Sequence, residues 1–408
     1  MSNIKSSSNN TFLRKASMAL LAMLPLLAWY KIPFPVGLGY ALLLFLSAYT
    51  IIRRGFSINV LPATFWIVFV YICFMWMYNH DFGFWTILPP GGWNFFIFFL
   101  ALLWGIMCFD LVLLKKYMRL IVLLSGVLFW IQFALLVTTG SPHFCFVPNL
   151  TGEFTYEGFT YAEIVSRHLS GLPCSIFLEK SYLAYYFLTY LALIWYGTDT
   201  KDKIFSKEVI FVIATLIGSR SGTALVGFSI LLAIKFFSIY WTANIRRRVL
   251  LIICIVPLVL GSLFIYMNTE MGQQMMSRGA EFSTEDSSGY TRVVGGYMMF
   301  DQLSAEEKLL GISDARERFG IESRDGSIRF FANGVQTILL NLGYIGALLY
   351  FLFYANVYRK VNLTSKMCIV VLLIMSLLES NYLNPYMMLL TIVPCADYLY
   401  NCKYAGRN

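Results

Sequence analysis

The chain has 408 residues, of which 58% are hydrophobic, 17% aromatic and only 13% charged, with a mean hydropathy of +0.67. So few charged side chains cannot cover the surface of a water-soluble protein of this length, which excludes that class. The net charge of +9 comes in short basic clusters between apolar runs; this excludes the continuous basic stripe of a nucleic-acid binder and reads as a set of topology signals.

Residues 1–10 are polar, and Arg14-Lys15 precedes the first apolar run. No small-residue cleavage site follows before Trp29-Tyr30-Lys31, so the segment is expected to remain as an uncleaved anchor with a cytoplasmic N-terminus. Runs able to cross about 30 Å of hydrocarbon at ~1.5 Å per residue fall at 16–31, 36–52, 60–78, 94–114, 120–139, 180–197, 249–267, 333–354, 366–379 and 385–400. The stretch 208–240 is too long for one comfortable span and short for two. Its flanks, Lys201/Lys203/Lys207 and Arg246-Arg247-Arg248, are basic, as are Arg53-Arg54, Lys115-Lys116-Arg119 and Arg359-Lys360. All of these are expected on the cytoplasmic side. The chain must then cross and return between 208 and 240, turning at Gly218-Ser219-Arg220-Ser221-Gly222.

The expected fold class is therefore an all-α polytopic membrane protein of about twelve transmembrane helices with cytoplasmic termini. An N-terminal bundle of about five spans covers 1–139. A first large outside loop covers 140–179, spans carrying the Ser-Arg turn cover 180–267, a second large outside loop covers 268–332, and the last spans cover 333–408. Two sizeable loops favour an enzyme over a carrier, since a site on an extracytoplasmic substrate has to be assembled outside the bilayer.

The first loop combines many Phe and Tyr with Glu153, Glu157, Glu163, Arg167 and His168. Aromatic faces beside carboxylates suit carbohydrate; the same composition also serves an interfacial aromatic belt. Cys145 and Cys174 both lie in this loop, and a disulfide between them would tie its ends together for roughly 3 kcal/mol. In the second loop, Ser287 or Ser288 is expected to cap a helix reaching about Leu303, with Arg292 near its first turn. Free helix-start amides beside an arginine make a phosphate cradle, against the commoner case of an exposed surface arginine. No nucleotide-binding glycine loop, outside Asp-x-Asp pair or Cys/His cluster is present, and His80, His143 and His168 are scattered. No metal or cofactor is expected.

Four local patterns resemble the O-antigen polymerase and ligase superfamily. Arg167-His168-Leu169-Ser170-Gly171 is similar to its Arg-x-x-Gly segment, and Gly218-Ser219-Arg220-Ser221-Gly222 to its Ser-Arg-Ser/Thr turn. Ser288-Gly289-Tyr290-Thr291-Arg292 with Leu310-Gly311 resembles a Ser-x-x-x-Arg helix and a later glycine of the large loop. Asn333 with Leu339, Gly343 and Gly346 resembles the entry from that loop into a span. The resemblance covers roughly residues 160–355. Where ligases carry a histidine just before that Asn, this chain has Ala332, which points to a polymerase. Arg278 to Gly289 also matches an arginine-loop pattern of some polymerases.

The resemblance implies a metal-independent glycosyltransferase at the periplasmic face of the bacterial inner membrane. Its substrates would be oligosaccharide repeat units on undecaprenyl pyrophosphate, with membrane lipid and a chain-length regulator as partners, and no nucleic acid. Fixed arginines match phosphate oxygens as planar donors. Arg220, Arg292 and Arg167 are the expected catalytic residues; Arg278, His168, Glu157, Glu163, Glu281 and Asn333 are the expected substrate-binding residues. The general base is left open between His168 and the carboxylates. The same residues also allow a ligase acting on lipid A core. A lipid-linked sugar flippase would be expected to hold more polar residues within its spans than Asp110, Lys235, Glu379 and Asp397.

Overall fold

A computed structural model describes residues 8–30, 37–55, 61–79, 90–144, 161–196, 206–242, 291–322, 328–329, 332–378 and 383–405. Long helices α1 (Ser8–Leu27), α2 (Leu38–Arg54), α3 (Ala63–Asn79), α4 (Pro90–Met107) and α5 (Leu111–Thr139) come first. They are followed by α6 (Tyr161–Ser170), α7 (Lys180–Trp195), α8 (Lys207–Gly218) and α9 (Gly222–Thr242). After a π-helical turn at Thr291–Gly295 come three short helices, α10 (Gly296–Asp301), α11 (Ala305–Leu310) and α12 (Ala315–Phe319). A two-residue antiparallel ribbon pairs β1 (Ile321–Glu322) with β2 (Ile328–Arg329), Ile321 opposite Arg329. Helices α13 (Gly334–Lys360), α14 (Leu363–Leu378) and α15 (Pro385–Ala405) complete the chain. The protein is an all-α membrane protein. Among the described residues, Leu111–Thr139, Gly222–Trp241 and Gly334–Lys360 are long and apolar enough to cross a membrane; Leu38–Arg53, Ala63–Asn79, Phe95–Met107 and Leu363–Leu378 are shorter apolar helices.

Helix α7 is the centre of the bundle. From Tyr182 to Leu193 every side chain is buried, as expected for a helix apolar on all faces. Its hydroxyls fasten its neighbours: Tyr186 donates to the Ala22 carbonyl at 2.9 Å, Tyr196 just beyond the helix to Leu231 at 2.7 Å, and Tyr190 to the Glu208 carboxylate. In lipid there is little hydrophobic drive between helices, so close packing and such hydrogen bonds hold them together.

Among the described residues, basic side chains of several helices gather at one end of the bundle. Arg14 on α1 pairs with Asp110 at the start of α5, and Arg119 on α5 reaches Glu208 at the start of α8 at 3.1 Å. Lys235 on α9 donates to the Trp195 carbonyl at 2.6 Å, Thr364 on α14 to Tyr196, and Asn356 near the end of α13 to Thr64 at the start of α3. The far ends of these helices carry the first and second loops.

The break expected at 115–119 between the fourth and fifth spans lies instead at Cys108–Asp110. The Asp110 carboxylate accepts from the backbone N–H groups of Val112 and Leu113 at 2.9 and 3.1 Å, capping α5 there. Lys115, Lys116 and Arg119 consequently ride on its first turns. No proline interrupts α5 before Gly140, which ends it in the left-handed region at φ 79°. Its 29 residues make a rod of about 43 Å, against which the other polar turns can be levelled. The spans expected near 249–267 and the helix start at Ser287 or Ser288 lie outside the described residues.

Candidate functional site

Besides His143 (62°), just past the end of α5, three turns at the end opposite the basic residues carry a non-glycine residue at positive φ: Ser175 (59°), Arg220 (48°) and Ser313 (64°). Such backbone costs about 1–3 kcal/mol per residue and persists where the surroundings over-determine it. Two of the three turns are seated on α5.

The first is the Arg220 turn. Helix α8 is short, 12 residues, starting at Ser206, whose hydroxyl accepts from Val209 N–H at 3.2 Å, and stopping at Gly218. The Ser219 hydroxyl turns back to the Leu216 carbonyl at 2.7 Å, and the Arg220 N–H bonds Ile217 O at 3.1 Å. These bonds consume the last carbonyls of α8, and Ser221 O then accepts from Leu225 N–H as α9 begins. Gly218 backs onto the rings of Phe129 and Trp130, while Trp130 Nε1 donates to Thr215 at 3.1 Å. The turn is thus held about 14 Å short of the Thr139 end of α5, as its helix length predicts. Ser219 and Ser221 are 0% and 3% exposed, and Arg220 is half-buried. Among the described residues no group pairs with its guanidinium.

The second turn follows α6. Ser175 N–H donates to Gln132 Oε1 at 2.9 Å and its hydroxyl to the Ser125 carbonyl at 2.5 Å, while Gln132 Nε2 donates to Phe144 O at 2.9 Å. Residues 171–179 therefore dip to the same level of α5 that holds the Arg220 turn. His168 comes with them: its Nδ1 lies 3.2 Å from Cys174 Sγ. Burial holds the imidazole pKa below its ordinary value, opposed by a bond to the Leu178 backbone and by the nearby Glu179 charge. His168 is accordingly a neutral base near pH 7.

The third turn belongs to the second loop and rests on α3 and α13. Tyr71 donates to the carbonyls of Leu310 and Leu342 at 2.8 and 3.0 Å; Ser313 donates to Met75 O at 2.9 Å and accepts from Asn79 Nδ2 at 2.6 Å. Helix α13 is broken at Gly343 (φ 62°, ψ −171°). Its freed carbonyls are taken by the loop, Ile312 N–H bonding Leu340 O and Ser313 N–H bonding Asn341 O, each at 3.0 Å. Broken helices at membrane depth persist only with this kind of replacement.

Asn333 caps α13 through a reciprocal pair with Gln336: Asn333 Oδ1 accepts from Gln336 N–H at 2.9 Å, and Gln336 Oε1 from Asn333 N–H at 3.0 Å. Gln336 Nε2 also donates to Val293 O at 2.6 Å, so the turn bearing Arg292 lies at the start of α13. Ala332 is buried in a small core with Phe300, Leu303, Ala315 and Leu340.

Of the expected site residues, the structure brings the backbone of Val293, next to Arg292, to Gln336, the capping partner of Asn333, and the turn of Arg220 to the level of the loop that follows His168. Arg167 and Glu163 lie exposed on α6. Arg278, Glu157, Glu281 and Cys145 lie outside the described residues, so the expected disulfide does as well. Sequence reasoning missed Gln132, Ser175 and Tyr71, which carry no motif. It also missed Gln336, although Asn-x-x-Gln before an apolar run is a legible capping signal.

Between α5 and α8 runs an open groove of about 670 Å³, lined by Val127, Trp130, Ile131, Ile210, Phe211 and Ala214, with Lys207 at its basic end. Trp130, which lines it, also backs Gly218 at the start of the Arg220 turn. Neither a protein-family model nor a curated protein sequence matches the chain.

Proposed function

We propose that the protein is an O-antigen polymerase: a metal-independent glycosyltransferase at the periplasmic face of the inner membrane. It joins repeat units carried on undecaprenyl pyrophosphate. The single observation that carries this reading is Arg220, half-buried on a strained, recessed turn with its guanidinium unmatched among the described residues. A charge in a transmembrane segment costs up to about 2.5–3.5 kcal/mol, the insertion-scale figure for the bilayer centre, and an anionic ligand at the same depth offsets it. A lipid pyrophosphate has the charge and the depth, and the apolar groove beside the turn suits its polyprenyl tail.

In the reaction an acceptor hydroxyl attacks the anomeric carbon of the donor glycan. The bond from that carbon to the pyrophosphate oxygen breaks, undecaprenyl pyrophosphate leaves, and the hydroxyl proton passes to a base. Arg220 and Arg292 balance charge developing on the leaving group. His168, neutral and near the Arg220 level, is the favoured proton acceptor, and Arg167 contributes a further cation. The topology in this reading has about twelve spans and cytoplasmic termini. It is supported by the alternation of helix directions: α9 and α13 run the same way, which an intervening span at 249–267 accommodates.

A ligase acting on lipid A core would use the same chemistry. The burial of Ala332 among apolar side chains weighs against a reactive group at that position. The test is electrophoresis of lipopolysaccharide from a deletion strain complemented with wild type or Arg220→Ala. A polymerase leaves core capped by a single repeat unit when lost, a ligase leaves bare core, and a normal ladder from Arg220→Ala ends the proposal.

A further inference from the structure

Gln336 does more than cap a helix. It is 1% exposed, and both ends of its amide are committed: Oε1 to Asn333 N–H at 3.0 Å and Nε2 to Val293 O at 2.6 Å. The second bond spans from α13 to the π-helical turn Thr291–Gly295, one residue past Arg292. The same side chain is covered by Gly296, where a β-carbon would lie 2.5 Å from Gln336 Oε1. The amide is therefore wedged between the helix start and the turn, with no room for a larger neighbour. A π-helical turn amounts to one residue inserted into a helix; it re-aims the adjoining side chains and survives only where something outside the turn holds it.

We propose that Gln336 is a positioning residue: through Val293 it fixes the 291–295 turn, and with it Arg292, over the N-terminus of α13. This assignment rests on the glycosyltransferase reading above. It adds that one buried amide holds the backbone that carries the second-loop arginine against the helix start at Asn333. The second loop has an independent anchor where Ile312 and Ser313 bond the carbonyls of Leu340 and Asn341, so release at Gln336 frees the turn without detaching the loop.

The discriminating variant is Gln336→Glu. It keeps an oxygen for Asn333 N–H and so keeps the cap, but sets a carboxylate oxygen against the Val293 carbonyl where a donor stood. Full-length wild type and variant in detergent would be compared by amide hydrogen exchange and by polymerisation of purified lipid-linked repeat units. The expected result is exchange across 291–301 accelerated roughly 10-fold, as for loss of one buried hydrogen bond, with 305–315 unchanged. Turnover should fall about 10-fold while the donor KM moves less than about 3-fold, the signature of misplaced transition-state contact. Gly296→Ala, which displaces the same amide from the other side, should reproduce both effects and serves if Gln336→Glu does not accumulate. Unchanged exchange, or faster exchange with unchanged turnover, overturns the assignment while leaving the polymerase reading intact. A turnover loss without faster exchange overturns it too. If wild type fails to polymerise the repeat units, the functional reading itself fails and the assignment falls with it.

Discussion

Gly311 and Gly343 cross at backbone contact. A β-carbon on Gly311 would lie 2.5 Å from the Gly343 nitrogen, and one on Gly343 would lie 2.5 Å from the Gly311 nitrogen. Both residues sit at positive φ, 91° and 62°. The crossing lets the loop lend its N–H groups to the carbonyls that the break in α13 leaves open. Gly311→Ala or Gly343→Ala should each cost about 2–4 kcal/mol, from left-handed strain plus backbone displacement. Thermal unfolding in detergent measures this. The two substitutions collide with each other's site, so the double variant should lose less than the sum of the two.

Arg220 stands at φ 48°, where glycine would relieve strain of about 1 kcal/mol. Arg220→Gly should therefore raise the melting temperature while abolishing polymer, the opposite signs expected when strain serves function. Arg220→Lys keeps the charge but loses the planar fork, and should retain only partial polymerisation. A variant that lost both stability and activity would mark Arg220 as structural.

With His168 as the proton acceptor of the proposed reaction, its titration would set the pH dependence of turnover. Burial lowers its pKa from the ordinary 6.5, so the neutral form persists below that value and protonation removes the base only in more acidic buffer. The acid limb of the turnover profile should fall below pH 6.5, and His168→Gln should flatten it. An acid limb that survives in His168→Gln assigns the proton transfer to a carboxylate. The same shift makes the unfolded chain bind the proton more tightly. Stability from this group is therefore full above 6.5 and is lost as pH falls from there through the lowered folded-state value.

Gln132 joins two segments through one amide, to Ser175 N–H and Phe144 O. Gln132→Leu leaves the Ser175 N–H buried without that partner, a loss of about 1–3 kcal/mol, and removes a bond from the half-buried Phe144 carbonyl. Hydrogen exchange should show residues 171–179 opening, with polymer yield reduced because the loop following His168 loses its seat at the level of Arg220. Unchanged protection there would show that Ser125 alone holds the turn.

Much of this architecture was legible from composition and charge. Apolar runs of the right length marked most helices, and paired basic flanks required the 208–240 stretch to turn back at Arg220. The length of α8 stops that turn partway along α5, where Gly218 meets Trp130. Motif residues Gly311 and Gly343 were legible singly; that they touch was not, because nothing local at either position records a partner some thirty residues away. The start of α5 was misplaced because basic residues were read as a loop, whereas one aspartate cap outweighs them and puts them on the helix.

The sequence by itself determined the solvent of this protein, most of its helices and the position of the arginine turn, since these follow from hydropathy, length and the placing of positive charge. Only the tertiary structure decided which polar turns share a level on α5, which loop fills the break in α13, and that Gln336 ties the Arg292 turn to Asn333. Those relationships depend on backbone groups freed at one place being satisfied at another, a condition that packing enforces and that no stretch of sequence expresses alone.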